Sequence, residues 1–378
     1  MSYVAVVTEA LASRGHEVHV LACERGAVTA DYRQHGVFVH RRPGIEVKLG
    51  SSLLPLTTNR LFQIVAHLVE HERLGGGFDL IESPDFRCSG LLLASKQVCP
   101  VVVRLHSPLS VEAPSRPLLD PLDLLISDAL ERAVVRQATA LTAATRWLPE
   151  QLRERGWLDD RPVRVIRNPT DLRRWERSRP VETTDPVVVV LGRLEFRKAP
   201  EILVRAAALL GVSVPRLRVI IVGRSNGRVH GVPYGDWLRS HAAELQVDCQ
   251  VIDEVPAADL PGIYEQARVV AVPSWQEGFS NVAIEAMASG RPVVCTSNTG
   301  VAELISGSPA GTVVPPGDVA ALARALEPYL LSVERAAEAG SAGRAIVHAE
   351  CDPAVIAEQV EDCYHDAVNH GPGPGLSR

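Results

Sequence analysis

The chain has 378 residues, of which 46% are hydrophobic and 22% are charged, and its net charge is −6. A chain of this length predicts two domains, each with its own core, and the negative net charge argues against a nucleic-acid-binding protein. No stretch reaches about 18 consecutive apolar residues, which argues against a membrane span.

Apolar runs with strand composition alternate with helical or loop segments along the chain. The predicted strands of the first half lie at residues 17–22, 79–83, 101–105, 140–145 and 163–167. Those of the second half lie at residues 187–191, 218–222, 249–253, 269–272, 293–296 and 311–314. Such alternation is typical of parallel sheets covered by helices, so the sequence predicts an α/β protein.

The composition also suggests where the domains divide. We place an N-terminal domain at residues 1–168 and a C-terminal domain at residues 187–350, with a final helix at residues 353–368. The segment 169–186 has four arginines and three prolines and predicts an interdomain linker. Residues 371–378 predict a flexible tail.

The cysteines indicate a reducing compartment. There are seven, scattered along the chain without a Cys-x-x-Cys pair. This pattern favours reduced thiols over a disulfide framework or a zinc site. The first 15 residues do not have the organisation of a signal peptide, so we expect a cytoplasmic protein.

The segment from Pro273 to Pro292 predicts a ligand-binding loop. It places Glu277 and Glu285 eight positions apart across a predicted strand, a tight loop and the start of a helix. A parallel strand that leads into a helix puts such a loop at the carboxyl end of the strand, where open α/β sheets bind ligands. Free N–H groups at residues 279–282 would suit a phosphate, and the carboxylates would suit vicinal hydroxyls.

A second segment, from Gly192 to Pro200, has the same strand, loop and helix order and is basic. Only three of the 39 lysines and arginines are lysines, at positions 48, 96 and 198. A lysine in a loop beside Arg193 hints at a need for a compact ammonium group. Taken alone, Arg193 and Lys198 are equally well explained as solvated loop charges.

These two segments together resemble the donor half of the retaining glycosyltransferases of family 4. The resemblance rests on Gly192-Arg193-Leu194 with Lys198, followed about eighty residues later by Pro273-Ser274, Glu277-Gly278-Phe279 and Glu285. Residues 14–21, 101–106 and 163–168 extend it over nearly the whole chain. It implies the GT-B architecture, in which two Rossmann-like domains face a central cleft and the final helix crosses back to the N-terminal domain.

The resemblance also implies a chemistry. Sugar would move from a nucleotide-diphosphate donor to a hydroxyl acceptor, and preorganised donors would stabilise the departing diphosphate. The sequence contains no Asp-x-Asp motif, so we expect no metal and no cofactor besides the nucleotide-sugar co-substrate. Arg193 and Lys198 would clamp the diphosphate, aided by the backbone of Gly278, Phe279, Ser280 and Asn281 at a helix N-terminus.

The carboxylates and one histidine receive separate roles from the resemblance. Glu285 would hold the ribose hydroxyls, because a carboxylate can accept both hydrogen bonds of a vicinal diol. Glu277 would contact donor-sugar hydroxyls near the reacting carbon. His106 matches the family's histidine at the cleft and would line the anomeric region, although a histidine at a strand end is otherwise usually structural.

The sequence departs from the family pattern in three places. Ala199 and Ser280 stand where glycine is usual. The first strand and glycine-rich loop have no counterpart, because the residues from Met1 onward already match the first helix. We therefore expect either a natural start upstream of Met1 or a marginally folded, inactive N-terminal domain. The alternative function is a degenerate, non-catalytic GT-B protein that binds a nucleotide or a partner.

Three further features leave their function open. The basic loop at residues 223–231 either contacts a substrate or is a solvated insertion. The segment from Glu82 to Asp85, at the end of the strand that begins at residue 79, could touch the acceptor. A peripheral membrane edge could be formed by Arg146, Trp147, Arg153, Arg155 and Trp157, but interleaved acids weaken that interpretation. The sequence identifies neither the donor sugar, nor its base, nor the acceptor.

Overall fold

The structure, a computed structural model, describes residues 3–25, 28–44, 54–112, 120–175 and 179–370. The chain forms two compact units. The first contains Met1–Pro169 and Pro353–Arg378, and the second contains Thr170–Asp352. The predicted tail at residues 371–378 lies outside the described residues.

The first unit contains seven of the described helices and seven of the described strands. Its helices are α1 (Tyr3–Ser13), α2 (Pro55–Arg73), α3 (Leu91–Ser95), α4 (Leu109–Glu112), α5 (Pro121–Gln137), α6 (Trp147–Glu154) and α14 (Pro353–His370). Its strands are β1 (His19–Arg25), β2 (Ala30–Gln34), β3 (Val37–Gly44), β4 (Ile81–Pro84), β5 (Val101–Leu105), β6 (Ala140–Ala143) and β7 (Arg164–Val165).

These strands form two sheets among the described residues. A parallel sheet has the order β4-β5-β6-β7, and a three-stranded sheet has the order β1-β3-β2 with β2 antiparallel to β3. Strands β2 and β3 were not predicted from the sequence. Residues 30–34 are mostly exposed and polar, so they lack the apolar run by which the other strands were recognised.

Helix α14 packs against α1 within the first unit. Arg14 forms an ion pair with Glu361 at 2.6 Å. The hydroxyl of Tyr364 donates to Glu82 Oε2 at 2.9 Å, and the hydroxyl of Tyr3 donates to the same oxygen at 3.3 Å. Glu82 is therefore engaged inside the unit, which is evidence against the acceptor contact considered from the sequence.

The second unit is built on one parallel sheet. Its strands are β8 (Val187–Leu191), β9 (Arg218–Val222), β10 (Arg228–Val229), β11 (Val232–Pro233), β12 (Cys249–Ile252), β13 (Val269–Val272), β14 (Val293–Thr296) and β15 (Gly311–Val314). Its helices are α7 (Pro200–Leu210), α8 (Tyr234–Glu244), α9 (Leu260–Gln266), α10 (Asn281–Ala288), α11 (Ala302–Ile305), α12 (Val319–Leu331) and α13 (Val333–Glu350). Strands β10 and β11 form a separate antiparallel hairpin.

The six-stranded sheet has the order β12-β9-β8-β13-β14-β15, so the chain reverses direction across the sheet between β8 and β13. Strand β8 is buried on both faces: Val187 and Val189 belong to one apolar cluster, and Val188 and Val190 belong to the other. Parallel strands covered on both faces have nearly continuous apolar sequences, which is why β8 was recognisable. The loops after β8 and β13 lie side by side at the switch point, where such sheets bind ligands.

The described helices and the cysteines bear on the expectations for membrane contact and for disulfides. Among the described residues, no helix has both the length and the apolar character needed to cross a membrane. Trp157 is only 1% exposed and packs in the core of the first unit. It cannot contribute to a peripheral membrane edge, which the interleaved acids had already disfavoured. The seven cysteines are all free thiols.

Candidate functional site

Two loops of the second unit meet at the carboxyl edge of the sheet. We call residues 192–199, after β8, the clamp loop, and residues 273–280, after β13, the carboxylate loop. The backbone N–H of Trp275 donates to the carbonyl of Arg197 at 2.9 Å. The guanidinium of Arg197 donates to the carbonyl of Gln276 at 3.2 Å. These hydrogen bonds join the two predicted segments into one surface.

Lys198 and Glu277 form an ion pair across these loops. Their side chains are 14% and 11% exposed. Ser274 Oγ donates to the other oxygen of Glu277 at 3.3 Å. The sequence analysis assigned these two charges to different parts of the donor, whereas the structure brings them into direct contact.

Arg193 lies on the exposed side of the clamp loop. Its side chain is 55% exposed and lies 3.3 Å from Glu195 Oε1. The same carboxylate accepts from Arg197 at 2.9 Å and from Asn226 at 3.1 Å. Because Glu195 already has these other donors, Arg193 can turn to an anionic ligand at little cost. The sequence analysis did not identify Glu195, since an acid between two basic residues has no distinctive pattern.

The clamp loop is held against the end of β9 by a close backbone approach. A Cβ placed on Gly223 would lie 1.7 Å from the carbonyl oxygen of Gly192. The N–H of Leu194 donates to the carbonyl of Arg224, and the N–H of Asn226 donates to the carbonyl of Leu194, each at 2.9 Å. The start of the 223–231 loop therefore supports the clamp loop through its backbone.

The two departures from glycine have different structural consequences. Ala199 has a φ of 49° and a ψ of 44°, a left-handed conformation that glycine adopts more easily. Ser280 is the N-cap of α10, but its side chain does not cap the helix. The Ser280 hydroxyl is buried and has no hydrogen-bond partner among the described residues. An anion at this helix N-terminus would offer that hydroxyl an acceptor.

Glu285 lies on the second turn of α10. Its Oε2 accepts a hydrogen bond from the hydroxyl of Tyr264 at 2.8 Å. Burial raises the pKa of Glu285, and the hydrogen bond from Tyr264 opposes that rise. The sequence analysis did not identify Tyr264, because an aromatic residue on a short helix before a strand is usually part of the core.

His106 lies in the first unit, directly after β5. Its backbone N–H donates to both oxygens of Asp85, at 3.1 Å each. The ring of His106 makes edge-to-face contacts with the ring of Phe86, at 5.5 Å between centroids, and with the ring of Tyr3, at 6.3 Å. Burial, with the nearby charge of Arg104, lowers the pKa of His106 to about 4, so the imidazole is neutral at pH 7.

Asp85 holds the backbone around His106 rather than facing a substrate. It is fully buried, and it also accepts from the N–H of Phe86 at 2.8 Å. Burial and the neighbouring Glu131 raise the pKa of Asp85 to about 8. Its burial is evidence against the acceptor contact considered from the sequence, because the carboxylate holds the loop backbone instead.

The described residues contain no cluster of three or more histidine, cysteine, aspartate or glutamate side chains arranged to hold a metal ion. The polar groups that converge in the second unit are instead two cations, two carboxylates and a helix N-terminus. Such a set suits an anion joined to a polyhydroxylated group.

Comparison with known families agrees with this chemistry. A family model described as glycosyl transferases group 1 matches residues 172–346. Another, described as glycosyltransferase family 4, matches residues 2–174. The two models together extend over both units.

Two relatives are named D-inositol 3-phosphate glycosyltransferase. The protein from Nocardia farcinica is 31% identical over 315 residues, which cover 80% of this chain and 68% of that protein. The protein from Rhodococcus erythropolis is 30% identical over 365 residues, which cover 90% of this chain and 80% of that protein.

Solved structures show the same fold at lower identity. Sucrose-phosphate synthase from Thermosynechococcus elongatus superposes with a TM-score of 0.81 at 23% identity, covering 98% of this chain and 93% of that one. The Anabaena protein HepE, solved in complex with UDP and glucose, superposes with a TM-score of 0.72 at 21% identity, covering 96% and 95%.

Proposed function

Because this chain belongs to the glycosyltransferases of family 4, with the GT-B fold, we propose that it catalyses metal-independent, retaining transfer of a sugar from a nucleotide-diphosphate sugar to a hydroxyl acceptor. The observation that carries this proposal is the meeting of the clamp and carboxylate loops at the switch point of the second unit.

The residues of these loops fit the charge that develops in the reaction. Breaking the anomeric bond leaves two phosphates with growing negative charge, and preorganised donors lower that barrier most. Lys198, Arg193 and the N-terminus of α10 supply positive charge and N–H groups for the diphosphate. Glu277, held by Lys198 and Ser274, would accept hydrogen bonds from the donor sugar. Glu285 would accept hydrogen bonds from the ribose.

The neutral imidazole of His106 suits a role beside the anomeric carbon. A protonated ring would repel the positive charge that develops as the sugar leaves, whereas a neutral ring does not. Asp85 fixes the backbone of His106, so the ring has a defined position from which to act.

The substrates to test first follow from the relatives. HepE was solved with UDP, and another of its structures contains UDP-glucose, so we propose a uridine diphosphate sugar as the donor. The relatives named for D-inositol 3-phosphate favour a phosphorylated polyol as the acceptor. The seven free cysteines support a cytoplasmic location.

UDP should raise the melting temperature of the protein equally with and without EDTA. At 100 times its dissociation constant, a ligand adds about 2.7 kcal/mol of apparent stability. Thermal-shift measurements with UDP, GDP and ADP would also identify the base. A stabilisation that disappears on adding EDTA would show that the diphosphate needs a metal.

The initial product should keep the anomeric configuration of the donor. Proton NMR of the first product, recorded before it can equilibrate, distinguishes the two anomers. An inverted anomeric centre would contradict the retaining mechanism. Stabilisation by UDP without any release of UDP from UDP-sugars would instead support the non-catalytic alternative.

A further inference from the structure

The hydroxyl of Tyr264 is directed at one oxygen of Glu285. It lies 2.8 Å from Glu285 Oε2 and 3.3 Å from the carbonyl of Val282. A phenol has one proton to donate, and a carboxylate is a stronger acceptor than a peptide carbonyl. The shorter contact is therefore the hydrogen bond, and it leaves Oε1 of Glu285 without that partner.

The ring of Tyr264 has no freedom to move away. Tyr264 is 0% exposed, and its ring meets Trp175 edge to face at 5.3 Å between centroids. The guanidinium of Arg174 covers Trp175 at 4.8 Å from the ring centroid. The backbone carbonyl of Tyr264 accepts from Arg291 at 2.8 Å. Both the ring and the backbone are fixed, so the position of the hydroxyl is set before any ligand binds.

We propose that Tyr264 is a positioning residue for nucleotide recognition: its hydroxyl holds Glu285 Oε2 so that Oε1 is presented to the ribose hydroxyls of the donor. The inference rests on the proposed function, because it takes the role of Glu285 from there. The inference adds Tyr264 as the group that fixes the half-buried carboxylate of Glu285 in one orientation toward the ribose. A carboxylate oxygen with free lone pairs can accept from both hydroxyls of a vicinal diol.

The same hydrogen bond favours the ionised form of Glu285. Burial raises the pKa of Glu285, while Tyr264 on α9 and Arg174 on the turn before the sheet lower it. Both groups belong to described elements of the second unit. Without the Tyr264 hydroxyl the pKa of Glu285 rises further, so the carboxylate becomes protonated at a higher pH. Ribose binding should then weaken at a higher pH than in the unchanged protein.

The test compares UDP with pyrophosphate, which has no ribose, by isothermal titration calorimetry. In Tyr264→Phe the dissociation constant of UDP should rise by about tenfold, the size expected for one hydrogen bond to a charged group. That of pyrophosphate should stay unchanged, because it contacts only the diphosphate clamp. In both proteins UDP binding should weaken as the pH is lowered. In Tyr264→Phe this weakening should begin at a higher pH than in the unchanged protein.

The matched control is Tyr234→Phe. Tyr234 is 3% exposed and its hydroxyl donates to the buried Glu201, so this change also removes one buried tyrosine–glutamate hydrogen bond. Tyr234 belongs to the apolar cluster on the opposite face of the sheet from Tyr264. Both variants should lose similar thermal stability, but Tyr234→Phe should bind UDP and pyrophosphate as before.

Glu285→Gln separates failure of this inference from failure of the proposed function. If Glu285→Gln weakens UDP binding and Tyr264→Phe does not, the positioning role is wrong while the ribose role of Glu285 stands. If Tyr264→Phe weakens UDP and pyrophosphate equally, its effect is structural and the inference is overturned. If the unchanged protein binds none of UDP, GDP and ADP, the proposed function falls and the inference falls with it.

Discussion

Lys198→Ala should lower the rate of sugar transfer at saturating donor by on the order of 100-fold or more. In the proposed mechanism the ammonium group stabilises charge that grows as the diphosphate leaves, so its loss should affect the transition state more than the bound donor. Release of UDP from the nucleotide sugar that stabilises the protein most would measure the effect. The variant also leaves Glu277 without its ion-pair partner, so its melting temperature has to be measured alongside.

The control for this substitution is Lys96→Ala. Lys96 is an exposed lysine at the end of α3 in the first unit, and it has no role in the proposed site. Its loss should leave turnover unchanged. Turnover that survives in Lys198→Ala, with the fold intact, would show that the ammonium group does not stabilise the leaving group.

Gly223→Ala should disrupt the site through the backbone alone. The new Cβ would lie 1.7 Å from the carbonyl oxygen of Gly192, and the φ of 158° is one that side chains rarely allow. Overpacking and backbone strain each cost about 1–3 kcal/mol, so we expect a loss of about 2–6 kcal/mol of stability. The clamp loop must move to make room, so UDP affinity should fall by at least tenfold, roughly the effect of a small displacement in a preorganised site.

Gly262→Ala provides the control for adding a methyl group to the second unit. A Cβ at Gly262, on α9, would meet no atom within 4 Å. Alanine is a better helix former than glycine by about 1 kcal/mol, so this variant should be as stable as the parent or slightly more stable. Urea unfolding would measure the stability of both variants, and titration with UDP would measure their affinity. Equal behaviour of Gly223→Ala and Gly262→Ala would show that the clamp loop does not depend on the close approach at Gly223.

Local patterns in the sequence were enough to find the sheet of the second unit. Strands such as Val187–Leu191 and Val269–Val272 are buried on both faces, and burial on both faces requires a continuous apolar run. Strands with exposed faces, such as β2, have no such requirement and were missed. Trp157 shows the same limit: the sequence left its exposure open, and only packing shows that it is buried.

The family and the candidate residues could be predicted because the spacing within each loop is a local property. A strand, a tight loop and a helix start place Glu277 and Glu285 on neighbouring parts of one candidate site, whatever the rest of the chain does. The basic clamp loop after β8 follows the same rule. The sequence by itself therefore determined the residue types of the site and the order of its elements.

Only the tertiary structure decided which of these residues touch each other. Lys198 and Glu277 are 79 residues apart and meet because β8 and β13 are neighbours in the sheet. Tyr264 reaches Glu285 because α9 and α10 flank the strand β13 that connects them. Strand order and helix packing depend on burial across the whole unit, not on local spacing. For that reason the residue types of the candidate site could be predicted from the sequence, whereas the contacts between these residues could be seen only in the folded structure.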